Sequence, residues 1–391
     1  MAARVAHVVP TDRIAYLLLR RRLARLADAG YEIHLLCGRA PDSGAPGGVD
    51  YEAAFAGLGV RLHYQTFERE ISPAADIRCA AELFFAVRRG GYDIVHSHNP
   101  KGGLLGPPVA RVAGAPHVLH TVHGFLFHDR TRGLRRAEAV AAERWTARWC
   151  HHLLFQVEED LEYARDHRFK AADRLHLVGN GVDETYFDPA ADPDAGALRR
   201  EELGWGADHL VVGTTGRLVR EKGYEEFFDM AGRIARQRED VRFLVVGLFE
   251  PEQSDAVDPQ ELARAHGVAD RCTVLEGRDD MPALYAAMDL FVLASHREGL
   301  SRSLMEAAAM ARPAVACDIR GCREIVVDRV TGRLAPVRDS AALAEAVGGL
   351  LDDEEARRQM GRAGRERVVA RYTEDRVARR VIDCYRRILE A

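Results

Sequence analysis

Short apolar runs alternate with stretches of helical period along the whole chain. That alternation predicts βαβ units and parallel sheets. Residues 5–9 read as the first strand. Residues 17–29 read as a helix with an arginine-rich outer face, ended by Gly30 as helices often are. A second strand spans 32–37, and residues 43–48 form a Gly/Pro loop. Further strands fall at 60–64, 94–97, 117–121 and 153–156, with helices between most of them, and 175–178 closes this half. Residues 185–200, with Pro189, Asp192, Pro193 and Asp194, read as a linker, because helices rarely survive such composition. A second series follows, with strands at 210–214, 241–246, 272–275, 290–293 and 314–316. Its helices are 224–237, 259–266, 281–288, 339–351 and 353–372. The closing helix, 374–389, gathers Val377, Val381, Cys384, Tyr385 and Ile388 on one face. The expected fold class is α/β, with two open domains, one of residues 1–185 and one of 186–373. In such sheets ligands bind at the carboxyl ends of the strands, and a two-domain version places its site in the cleft.

Composition changes this picture little. The chain has 391 residues, 47% hydrophobic and 29% charged, with a net charge of −5. That is an ordinary globular balance with no nucleic-acid signature. The charge is uneven, mildly basic over the first 180 residues and acidic beyond. A basic half suits an anionic acceptor or a lipid headgroup surface, and an ordinary spread of surface charge explains it as well. The seven cysteines are scattered from Cys37 to Cys384 and do not suggest a disulfide framework. Cys317 and Cys322 form the one close pair, with no partner set for a metal. The first ten residues are too short and polar for a signal peptide, and no stretch is apolar enough to span a membrane. The expectation is a cytoplasmic protein. Residues 133–149 qualify it, because Arg135, Arg136, Arg144, Arg148, Trp145 and Trp149 suit a helix lying on the inner face of a membrane. Glu138 and Glu143 weaken that reading, and tryptophans packed in the core are its alternative.

Two segments carry chemistry. Glu298 and Glu306 lie eight residues apart, just after the apolar run 290–293. If helical throughout, that spacing brings both to nearly one face. If the segment between them opens a helix, its free N–H groups and dipole point into the same space. Two acceptors for sugar hydroxyls beside a phosphate cradle describe a nucleotide-sugar site, and solvated acids are the plain alternative. Upstream, Gly216-Arg217-Leu218-Val219-Arg220-Glu221-Lys222-Gly223 joins a strand to a helix through a loop with two cations five residues apart. Such a loop suits a diphosphate clamp, with Arg giving a fork of donors and Lys a point charge. The order of a P-loop is absent.

Taken together, the chain resembles the retaining glycosyltransferases of family 4, which have the GT-B fold of two Rossmann-like domains. The matching segments are 216–223, Gly277-Arg278-Asp279-Asp280-Met281-Pro282, Arg297-Glu298-Gly299-Leu300 with Glu306, Asn180-Gly181-Val182-Asp183 and Gly321-Cys322-Arg323-Glu324. His96-Ser97-His98-Asn99-Pro100-Lys101 and Thr121-Val122-His123-Gly124-Phe125 are similar to the bacterial enzymes of exopolysaccharide, capsule and lipid-linked glycan assembly. The resemblance implies that Arg217 and Lys222 hold the donor diphosphate. Glu298 then contacts the donor sugar beside the N–H groups of Gly299 and Leu300, and Glu306 binds the ribose. Gly216, Arg278, Asp279, Met281, Ser301 and Leu304 complete the donor site. His123 sits near the sugar and the incoming hydroxyl. Thr11, Asp12, His98 and Lys101 stand on the acceptor side, with Pro10 to Ile14 forming the first strand-to-helix loop. The closing helix 374–391 crosses back to the first domain. No metal and no cofactor is implied, because the two cations take the place of an ion and Asp279-Asp280 are adjacent rather than spaced. The leaving phosphate takes the acceptor's proton, and Glu298 orients substrate.

The expected activity is transfer of a hexose or N-acetylhexosamine from a nucleotide sugar, UDP-linked in the first instance. The acceptor is a hydroxyl of a glycan, glycolipid or small glycoside. A sugar-nucleotide 2-epimerase of the same fold and a non-catalytic sugar-nucleotide binder are the competing readings. No role is read from Gln156-Val157-Glu158-Glu159-Asp160.

Overall fold

A computed structural model describes residues 2–40, 48–67, 72–127, 131–250 and 254–390. Residues 43–47 of the expected Gly/Pro loop lie outside them. The chain divides into two compact units, Met1–Gly179 with Glu374–Ala391, and Asn180–Thr373. The break falls earlier than the expected 185/186.

The first unit runs β1 (Arg4–Thr11), α1 (Asp12–Asp28), β2 (Glu32–Gly38), α2 (Tyr51–Ala56), β3 (Val60–Tyr64), α3 (Pro73–Gly90) and β4 (Ile94–His98). It continues through α4 (Asn99–Val112), β5 (His117–Val122), α5 (Gly133–Trp149), β6 (His152–Phe155), α6 (Glu158–Asp166) and β7 (Leu175–Leu177). Its seven strands lie in the order β3-β2-β1-β4-β5-β6-β7, and the paired strands are parallel. The five inner strands β1, β2, β4, β5 and β6 are buried on both faces, as parallel sheets require. One face is covered by a core including Leu19, Leu23, Phe55 and Tyr385, the other by one including Cys79, Leu83, Val87 and Ala110.

The second unit runs α7 (Ala195–Glu202), β8 (Leu210–Thr215), α8 (Tyr224–Ala235), β9 (Val241–Gly247), α9 (Pro259–Ala265), β10 (Cys272–Glu276), α10 (Met281–Ala287) and β11 (Leu290–Leu293). Then come α11 (Arg302–Ala309), β12 (Ala314–Cys317), α12 (Arg320–Ile325), β13 (Gly332–Ala335), α13 (Ser340–Asp352) and α14 (Glu354–Arg371). Its six strands lie in the order β10-β9-β8-β11-β12-β13. Helix α15 (Glu374–Glu390) belongs to the first unit. All five apolar residues of its expected face are buried. Tyr385 hydrogen-bonds His96 Nδ1 on β4 at 2.6 Å and packs edge-on to Tyr31.

Four local readings need correction. Strand β1 runs straight into α1, so the loop expected at 10–14 is absent. Thr11 is instead the N-cap, accepting from Ile14 N. Helix α7 occupies the expected linker, because tertiary contacts override its composition. Arg200 pairs with Asp289 at 2.7 Å and Arg199 pairs with Asp280. Gly196 lets α7 lie against α10, where a Cβ would come 2.5 Å from Ala286 O. Helix α11 begins only at Arg302, so Glu298 lies in the loop before it and the shared-face spacing does not apply. Finally, Trp145 is 45% exposed, so core packing fails for that tryptophan.

Candidate active site

Both sheets reverse their strand order between two central neighbours, β1/β4 in the first unit and β8/β11 in the second. Loops after such neighbours diverge and leave a crevice at the carboxyl ends. The expected donor residues all fall in the second unit. Those of the cation loop follow β8, and Glu298 with its successors follows β11.

The cation loop is shaped by its second glycine. Residues 220–222 form a short 3-10 turn, and Gly223 adopts φ 72° before α8. A Cβ there would lie 2.0 Å from Ala294 O, so only glycine lets the loop pass this close to the end of β11. That approach brings the two halves of the site together. Lys222 Nζ lies 2.6 Å from Glu298 Oε1, with the carboxylate side chain 9% exposed. Arg217 is exposed, and its guanidinium makes no hydrogen bond or ion pair with the described residues.

The Glu298 loop is held from the other side by α12. Gly321 sits where a Cβ would fall 1.5 Å from Gly299 O and 3.1 Å from Glu298 O. No rotamer relieves a clash with backbone, so Gly321→Ala is expected to displace this loop. Turnover should fall at least about tenfold with the fold retained by circular dichroism, since misplacement of about 1 Å is costly in a catalytic site. Wild-type kinetics in that variant would show that the loop position is not critical. Ser301 caps α11, its Oγ accepting from Leu304 N. The Gly299 and Leu300 N–H groups have no acceptor among the described residues.

Glu306 lies one turn into α11. Tyr285 Oη donates to its Oε2 at 3.0 Å, and Arg302 Nε stands 3.7 Å from Oε1. Burial raises its carboxyl above the ordinary range, against the pull of Arg302 and Tyr285. Arg278 and Asp279 are exposed beside the partly buried Met281 that opens α10. The Arg278 guanidinium is fixed on Asp280 by two bonds of 2.6–2.7 Å. Leu304 is a correction. Its side chain is fully buried in the unit and its N–H is capped, so it supports α11 rather than touching a ligand.

The first unit holds a string of neutral histidines. Gln156 Nε2 donates to His123 Nδ1 at 3.0 Å. His123 Nε2 then donates to His98 Nδ1 at 3.3 Å, and His98 Nε2 to His7 Nδ1 at 3.0 Å. Each neutral ring has one proton, so the direction of the first bond fixes the rest. Burial lowers the pKa of His7 and of His123 to about 3 and holds His98 well below 6.5. His123 therefore carries no exchangeable charge near neutrality, and both ring nitrogens are engaged. That is consistent with a residue that takes no part in proton transfer.

His7, His96 and His98 also bring one ring nitrogen each within 4.8 Å, the one group of metal-ligand spacing among the described residues. His96 is taken by Tyr385 Oη and by Thr121 Oγ1. His98 bonds at both nitrogens, and His7 Nε2 alone has no partner. An ion would have to break these bonds in a fully buried place beside the positive field of Arg22. The donor set suits a hydrogen-bonded core cluster better than a cation.

The remaining acceptor-side candidates are occupied too. Asp12 is fully buried and accepts from Arg13 N, Ala40 N and Tyr64 Oη at 2.7–3.1 Å, so it ties the start of α1 to the segment after β2 and to the end of β3. Lys101 Nζ lies 2.8 Å from Asp76 Oδ1 with its side chain 9% exposed. Neither presents a free group to an acceptor. Sequence reasoning missed Tyr285, Gln156 and His7, whose parts depend on which elements pack together.

Residues 18–186 match the family model described as Glycosyltransferase Family 4, and residues 198–367 match Glycosyl transferases group 1. A relative from Escherichia coli, a UDP-Gal:alpha-D-GlcNAc-diphosphoundecaprenol alpha-1,3-galactosyltransferase, is 30% identical over 291 residues, 74% of each chain. Among solved structures, a sucrose-phosphate synthase from Thermosynechococcus elongatus superposes with a TM-score of 0.82 at 22% identity. It covers 99% of both chains. Anabaena HepE in complex with UDP and glucose gives 0.80 at 18% identity, over 98% of this chain and 99% of that one. These two share the GT-B fold with this protein.

Proposed function

The chain belongs to the glycosyltransferases, a family 4 region followed by a group 1 region, and from that premise we propose that it is a retaining enzyme. It moves a hexosyl or N-acetylhexosaminyl group from a UDP-sugar to a hydroxyl of a glycan, glycolipid or small glycoside. The observation that carries this reading is the meeting of Lys222 with Glu298 beside the uncommitted Arg217 at the β8/β11 switch. The UDP-sugar of the Escherichia coli relative and the UDP bound by HepE support the choice of nucleotide.

The chemistry follows from charge. The bond between the anomeric carbon and the phosphate oxygen breaks, leaving negative charge on the diphosphate. Arg217 and Lys222 stabilise that charge as it grows. The acceptor oxygen bonds to the anomeric carbon on the same face, and its proton passes to the departing phosphate oxygen. No protein base is required, which agrees with the engaged, neutral His123. Glu298 does two things, holding Lys222 in place and accepting from the sugar hydroxyls. Glu306 accepts from the ribose. Incubation with a panel of nucleotide sugars, with and without acceptors, tests the transfer. Acceptor-dependent release of nucleoside diphosphate supports it, and an altered sugar still on its nucleotide would overturn it.

The two cations also make a divalent ion unnecessary, and the Asp280 carboxylate is already spent on Arg278 and Arg199. Treatment with EDTA should leave the rate within about twofold. A larger loss restored by added Mg²⁺ or Mn²⁺ would contradict a metal-independent route.

We also propose that the first unit docks on an anionic membrane surface. Helix α4 packs against both α3 and α5. Together the three helices carry nine Lys and Arg against four Asp and Glu, a net +5 in a chain of −5. Two of those acids are paired, Asp76 with Lys101 and Glu82 with Arg78, and Glu143 is buried. Large apolar side chains are exposed on each helix, including Ile77 and Phe85 on α3, Val112 on α4, and Leu134 and Trp145 on α5. Cations around exposed apolar side chains suit anionic headgroups. The protein should co-sediment with phosphatidylglycerol vesicles and not with phosphatidylcholine ones. Phe85→Ser with Trp145→Ser should weaken that binding at least about fivefold. Equal sedimentation with both lipids, or none with either, would remove the surface assignment. No helix among the described residues is long and apolar enough to cross a membrane.

A further inference from the structure

We infer that Tyr285, donated to by Thr215, is a positioning residue that aims Glu306 and gives the site its preference for a ribose over a 2′-deoxyribose. The inference rests on the reading of Glu306 as the ribose acceptor.

Tyr285 is fully buried on α10, where its ring packs edge-on to Phe187 and Phe291. The ring is thus fixed by apolar contacts while its hydroxyl enters a polar string. That hydroxyl has one proton and gives it to Glu306 Oε2 at 3.0 Å. Its other neighbour, Thr215 Oγ1 at 2.8 Å, must then be the donor in that bond. Thr215 is the last residue of β8, immediately before Gly216 and Arg217. The string Thr215→Tyr285→Glu306 therefore ties the end of the phosphate-side strand to the ribose carboxylate through two short bonds.

The effect on Glu306 is geometric first. One lone pair of Oε2 is committed to Tyr285, which sets the plane of the carboxylate and leaves the rest of Oε2, and the side of Oε1 turned away from Arg302, for vicinal hydroxyls. A carboxylate aimed in this way can accept from two neighbouring hydroxyls of a ribose. With a 2′-deoxyribose, one of those acceptor positions is left without a donor in a partly buried place, which is the costly case. A freely rotating carboxylate would adapt to the single hydroxyl and discriminate less. The bond also acts on charge. Burial already pushes Glu306 towards protonation, and the groups that face it and resist are Arg302 and Tyr285. Losing the Tyr285 hydroxyl moves the carboxyl further up.

Tyr285→Phe keeps the ring packing and removes the donor. UDP affinity should fall about tenfold, the scale of one hydrogen bond to a charged group. Turnover at saturating donor should stay within about twofold. The preference for UDP over dUDP should shrink at least about fivefold, and the acid side of the UDP-affinity profile should move to higher pH. Thr215→Val should shift the same three readouts in the same direction by less. A merely structural tyrosine would leave the preference and the pH profile unmoved. Glu306→Gln separates the two layers of the argument. If that variant keeps the UDP preference, the ribose reading itself fails. If it loses the preference while Tyr285→Phe retains wild-type affinity, preference and pH profile, the positioning role alone is overturned.

Discussion

Arg217→Ala is expected to lower turnover of the donor by about two to three orders of magnitude, or about 2.7–4 kcal/mol, with Lys222→Ala close behind. That is the scale for removing one preorganised donor aimed at transition-state charge. Arg217 should show the larger effect because its exposed guanidinium has no competing partner among the described residues, while Lys222 begins on Glu298. Arg217→Lys should recover little, since a point charge does not reproduce a planar fork of donors on a phosphate. The check is kcat and KM for acceptor-dependent release of nucleoside diphosphate. Near-wild-type values in both alanine variants would remove the diphosphate assignment.

The second large effect concerns Glu298. Glu298→Gln should cost about two orders of magnitude in turnover, because the carboxylate orients the sugar as positive charge grows on its ring. The same change releases Lys222 from an ion pair of 2.6 Å and leaves a full cation for the diphosphate. UDP should therefore bind Glu298→Gln at least as tightly as the wild type. A loss of turnover together with retained or tighter product binding is an unusual pairing. Steady-state kinetics and a UDP titration on the same preparation read both parts. Weakened UDP binding in this variant would show that Glu298 contacts the nucleotide rather than the sugar.

Much of this was legible in the chain because the signals are local. Strand and helix positions followed from apolar period, and α15 was readable down to five of the seven residues that it buries. The Gly216-to-Gly223 loop was legible as a candidate phosphate site because glycine and cation spacing is written within eight residues. What escaped depends on contacts between distant elements. Helix α7 looked like a linker, since Gly196 and its paired arginines gain meaning only against α10 and Asp289. Glu298 and Glu306 look like helical neighbours in sequence, yet Ser301 caps the helix between them. His123 was legible as a residue at a strand's carboxyl end, but its bonds to Gln156 and His98 were not. Tyr285 left one faint signal, a hydroxyl on an otherwise apolar helix face, and buried tyrosines usually find a partner. The acceptor-side candidates fared worst, because Asp12 and Lys101 read as available charges and are in fact engaged inside their own unit.

The central claim is that the two glutamates divide the donor, Glu306 holding the ribose and Glu298 the transferred sugar. It is tested most directly by titrating UDP, calorimetrically, into the wild type, Glu298→Gln and Glu306→Gln. The account predicts about tenfold or more weakening for Glu306→Gln, and affinity at or above that of the wild type for Glu298→Gln. Equal loss of UDP affinity in both variants would contradict it.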